Sequence, residues 1–152
     1  MRQAFSMITA IFVIIVMASI ATFVMSLSGK SVKSTSAQYQ REQAMLYAKS
    51  YTEFAIMAVT AHDRSTDCVE IIKGNIGNIN QGGYSIRTHI AYIGPASEIG
   101  TCATTRQLST NVLTKKTPLT IIIDAYVDYR DMDNDDANAP NITVHRRTVQ
   151  KI

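Results

Sequence analysis

No charged residue stands between Ala4 and Gly29, and no proline occurs before Pro95. A helix on the surface of a soluble domain carries polar residues on its outer face. The uncharged run from Phe5 to Ser28 has no such face, which excludes an ordinary surface helix. About 20 predominantly apolar residues suffice to cross the hydrocarbon core of a bilayer. At about 1.5 Å per residue, this run reaches about 36 Å as a helix. The N-terminus therefore reads as a membrane segment or a targeting signal.

Other absences narrow the chemistry. There are two cysteines, no CxxC pair and no set of Cys and His at zinc spacing. GxSxG, HExxH, the P-loop and GxGxxG are all missing, so no enzymatic activity is expected. His62, His89 and His145 are scattered without a motif partner and read as surface or structural residues. A net charge of +3 is too small to argue for phosphate-backbone binding. The basic doublets Lys115-Lys116 and Arg146-Arg147 contain no aromatic residue to stack on bases, so nucleic acid is not expected as a partner.

What is present divides into a helical and a β-rich part. From Ala37 to His62, Ala44, Tyr47, Ala48, Tyr51, Ala55 and Ala58 recur at spacings of three and four, with Phe54 beside them. Gly29 costs a helix only about 1 kcal/mol. Residues 5 to about 62 thus read as one helix, ending near His62-Asp63-Arg64-Ser65. The period then changes to two. Tyr84 to Ile93 alternates, with Tyr84, Ile86, Thr88, Ile90 and Tyr92 on one face. Leu119 to Tyr129 is β-branched and aromatic, and Ile142 to Lys151 follows. The linker from Arg130 to Asn141 is too short for a crossover helix, which favours an antiparallel hairpin. In that hairpin Asp124 would face Arg146 or Arg147. The expected class is α+β: a long N-terminal helix packed on a small antiparallel sheet.

Cys68 and Cys102 both fall after the apolar run and fit one disulfide in an oxidising compartment. The alternative is two buried thiols. A cross-link of that span contributes roughly 3–4 kcal/mol. Asp131, Asp133 and Asp135 alternate as calcium-loop ligands do. Asp136 stands where an EF-hand needs glycine and Ile142 where it needs glutamate, so that motif is excluded. A looser Ca2+ site and a solvated hairpin loop both remain open.

Arg2, Ala4, Phe5, the apolar run to Ser28 and the helix to about His62 together resemble the type IV pilin-like proteins, pilins and type II secretion pseudopilins alike. The resemblance divides the chain into a leader at 1–4, a membrane or fibre-core helix at 5–28, an amphipathic half at 29–62 and a periplasmic domain at 63–152. It implies cleavage by prepilin peptidase between Ala4 and Phe5, and N-methylation of Phe5. It further implies an inner-membrane assembly platform, lipid before assembly, and other pilin or pseudopilin subunits as partners. Ala4 replaces the usual glycine, and Thr9 stands where the fibre-assembly glutamate usually is. A buried carboxylate needs a partner, and its absence resembles the minor subunits of a fibre tip. The alternatives are a single-pass anchored protein, a DNA-uptake pilus subunit, or a secreted binding domain released by cleavage after Ser19-Ile20-Ala21.

Overall fold

A computed structural model of the chain describes residues 2–64, 66–112, 119–131 and 140–152, with residues 2–6 described by backbone alone. One helix, α1, runs from Arg2 to Ala61. The chain forms two compact units, Met1–Tyr39 and Gln40–Ile152. The first is helix throughout its described length. The second combines the remaining turns of α1 with a five-stranded sheet.

The sheet is built from β1 (Ile71–Ile76), β2 (Tyr84–Ile93), β3 (Gln107–Ser109), β4 (Thr120–Tyr129) and β5 (Ile142–Lys151). Its order is β1-β2-β4-β5, with these neighbours antiparallel. Past the end of β1, the short β3 pairs with β2 in parallel, Gln107 beside Tyr92. The short helix α2 (Ala96–Ile99) lies between β2 and β3 in sequence. The α+β class and the β4–β5 hairpin expected from the sequence are both present.

Alternation decides which side of each strand is buried. Tyr84, Ile86, Thr88, Ile90 and Tyr92 of β2 turn inward, as do Ile121, Ile123, Ala125 and Val127 of β4. Against them α1 lays Ala44, Ala48, Thr52, Ala55 and Val59, all fully or almost fully buried. Small residues along this line let the helix backbone approach the sheet. Thr52 tolerates the site because its hydroxyl donates to the Ala48 carbonyl at 2.7 Å. Phe54, expected on this face, is instead 50 % exposed. The α-helical spacing passes from Ala48 through Thr52 and Ala55 to Val59, and Phe54 falls outside that stripe.

Two backbone positions shape the β1 edge. The β1–β2 turn closes at Gly82, whose φ of 82° favours glycine, after Asn78 accepts from Asn80 N at 3.0 Å. In mid-β1, Gly74 leaves the space that the Tyr51 hydroxyl occupies.

Candidate functional site

The apolar stretch of α1 keeps its side chains outside any core. Met7, Ile8, Phe12, Ile14, Met17, Phe23 and Met25 are all more than half exposed. Among the described residues this is the one helix long and apolar enough to cross a membrane. Its polar side chains are accommodated within the helix. Ser19 Oγ donates to Val16 O at 2.8 Å, and Thr22 Oγ1 to Ser19 O at 2.9 Å. A hydroxyl satisfied in this way can face lipid without an unpaired donor. Thr9 lies on the exposed surface of the same stretch. Ala4 and Phe5 are within the helical backbone, and their side chains lie outside the described residues. Among its described residues this segment buries no apolar side chain against the rest of the chain, so its apolar surface is left uncovered.

Where α1 ends, a network holds the chain onto the sheet domain. Arg64 Nη1 donates to Val59 O at 3.1 Å, covering one of the last helix carbonyls, and Nη2 pairs with Glu98 at 3.5 Å. Cys68 and Cys102 form a disulfide across 34 residues, with Cα atoms 5.0 Å apart. It joins the segment after α1 to the one between α2 and β3. The Thr101 hydroxyl donates to the Arg64 carbonyl, and Glu70 Oε1 accepts from Ala103 N at 2.7 Å. Gln107 Nε2 donates to Ile99 O at 3.0 Å and Cys102 O at 2.5 Å. Tyr92 OH reaches Val69 O at 2.6 Å, and burial raises its pKa to about 12. The cross-link thus sits inside a hydrogen-bonded network beside the core.

The polar groups singled out in the sequence scatter or converge according to strand register. Asp124 is paired with Arg147, which grips it with Nε at 2.7 Å and Nη2 at 2.9 Å. His145 Nε2 lies 2.8 Å from the same carboxylate. The Arg147 hydrogen bond holds the Asp124 pKa below its usual value, against the opposing effect of burial and with help from His145. Arg146 points to the opposite side of β5, toward Met45 and Ala48. Asp131 follows β4, whereas Asp133, Asp135, Lys115 and Lys116 lie outside the described residues. His62 is exposed just after α1.

His89 and His145, scattered in the sequence without a motif partner, are brought by tertiary structure to the same aromatic residue. Tyr126 stacks on His145, with centroids 4.5 Å apart and planes at 16°, and meets His89 edge-on at 5.9 Å. The signal for this was the period-two alternation itself, which puts Arg87, His89, Asp124, Tyr126, His145 and Arg147 on one face. Compared with known proteins, the chain matches no family model, no curated protein and no solved structure.

Proposed function

We propose that this chain is a non-enzymatic, pilin-like structural subunit of a bacterial type IV pilus or type II secretion filament. The observation that carries the proposal is one continuous helix with two different surfaces. Its first part is apolar and uncovered, and its last turns are packed on an antiparallel sheet. In this reading the apolar part of α1 first sits in the inner membrane, with the sheet domain in the periplasm. It then exchanges lipid for neighbouring subunits when the assembly platform extracts it. Van der Waals packing between helices replaces contacts with acyl chains at little net cost. Prepilin peptidase would cut between Ala4 and Phe5, and Phe5 would be N-methylated. With Thr9 instead of a glutamate, no buried carboxylate has to find a partner on assembly, which supports a minor subunit placed at the tip.

The test is the N-terminus of the protein isolated from its native envelope, read by intact mass and N-terminal peptide mass spectrometry. A chain beginning at N-methylated Phe5 is the expected result. A chain beginning at Thr22 would replace the filament subunit by a released domain. An intact Met1 in a cell with active prepilin peptidase would leave a plain membrane anchor.

A further inference from the structure

The face of the sheet turned away from α1 carries a cleft of about 330 Å3 lined by Arg87, His89, Arg106, Asp124 and Tyr126. Three separate pieces of chain build it. Arg87 and His89 are two apart on β2 and share a face. Asp124 and Tyr126 stand opposite them on β4, His89 beside Asp124 and Arg87 beside Tyr126. Arg106 comes from the turn before β3 and is brought over β2 because β3 pairs alongside Tyr92. Lys73 of β1 stands opposite Arg87 on the other side.

The charges in this cleft do not cancel. Asp124 is taken by Arg147 and His145 from the β5 side. Asp128 is taken by Arg87 at 2.7 Å and by the Thr143 hydroxyl at 2.6 Å. Among the described residues, neither Arg106 nor Lys73 has a carboxylate partner. Arg106 Nη2 instead lies 2.9 Å from His89 Nδ1. A guanidinium has donors and no acceptor. His89 Nδ1 must therefore accept, and the ring is neutral with its proton on Nε2. Burial lowers the His89 pKa most, and Arg106, Arg87 and Lys73 lower it further, outweighing Asp124.

We propose that this cleft is a binding site for a sugar-sized ligand carrying an oxyanion, a carboxylate or a phosphate. Arg106 supplies charge-assisted donors to the anion, Arg87 adds the N–H groups that Asp128 leaves unused, and Lys73 adds a point charge at the rim. Tyr126, one face of which is covered by His145, contributes the apolar part of a lining otherwise made of polar side chains. The volume lies at the lower end of the range for small-molecule sites, which suits one sugar ring and its anionic group. The site lies on the side of the sheet opposite the one that packs on Ala44, Ala48, Thr52, Ala55 and Val59.

The experiment is a titration of the full chain in an uncharged detergent, with histidine rings isotopically labelled and followed by NMR. The probes are inorganic phosphate and glucuronate, with glucose as the uncharged control. The expected result is a saturable shift of the His89 signals with at least one anion, accompanied by a rise in the His89 pKa as the anion offsets the surrounding cations. Glucose is expected to leave both unchanged. Response to phosphate alone assigns the phosphate chemistry, response to glucuronate alone the carboxylate, and response to both the general oxyanion. Arg106→Gln should weaken binding roughly ten- to a hundredfold, the effect of losing one charged hydrogen bond. Lys73→Gln, on an exposed position of β1, should weaken it less without disturbing the fold. The proposal is overturned by no saturable His89 shift with either anion, by an equal response to glucose, or by binding that both variants leave unchanged.

Discussion

Tyr51 of α1 reaches across the β1 edge into the space that any side chain on Gly74 would need. The two residues are a mutual fit between helix and sheet. Tyr51 supplies ring surface to the core beside Ala48 and Ile76, and Gly74 supplies the missing Cβ.

Gly74→Ala should therefore destabilise the domain, although alanine is the better strand residue. Overpacking of this kind costs about 1–3 kcal/mol. Urea unfolding of the full chain in detergent checks it. In a double-mutant cycle, Tyr51→Ala should remove most of the added cost of Gly74→Ala. Additive effects would show that the clash is relieved elsewhere.

Thr88 is fully buried, and its hydroxyl has no hydrogen-bond partner among the described residues. An unsatisfied buried hydroxyl lowers stability. Thr88→Val keeps the branched shape that β2 needs and is expected to raise stability by roughly 1 kcal/mol. A lower unfolding midpoint would mean that the hydroxyl is paired after all.

Removing the Cys68–Cys102 cross-link by a double serine substitution should lower stability by roughly 3–4 kcal/mol in the chain-entropy account. The same loss should appear when the unchanged protein is unfolded under reducing conditions. A variant insensitive to reductant and a parent sensitive to it is the expected pair of results.

Asp124 makes stability fall in acid. Its folded pKa lies below its ordinary value because of Arg147. The contribution is present above the unfolded carboxylate range and disappears as pH falls through the lowered folded value. Asp124→Asn should flatten this part of the acid unfolding profile. Arg147→Gln should do the same, since it removes the main cause of the shift.

The strands differ in how far their sequences reveal them. β2, β4 and β5 are legible because ten residues of alternation or β-branching leave few other conformations that bury one face. β1 is not legible in the sequence: Lys73, Gly74 and Asn75 interrupt its apolar residues, and pairing with β2 supplies what local preference lacks. β3, three residues long, exists only as an addition to the edge of β2. The expected helical face is correct in Ala44, Ala48 and Ala55, only half-buried at Ala58, and wrong in Phe54, since the packed stripe includes Thr52 and Val59 instead.

The sequence alone determined the long uncharged helix, the α+β class and the β4–β5 hairpin, because each follows from local periodicity and from the solvent a run of residues can tolerate. It left open whether Asp124 meets Arg146 or Arg147, and whether Cys68 and Cys102 are joined. Tertiary structure decided both. Register assigns Arg147 to the face of Asp124 and sends Arg146 to the other side, and the loops around α2 bring the two sulfurs together. The meeting of Arg106 with His89 was likewise invisible in the sequence. It depends on the parallel pairing of the three-residue β3 beside Tyr92, and no local pattern encodes that contact.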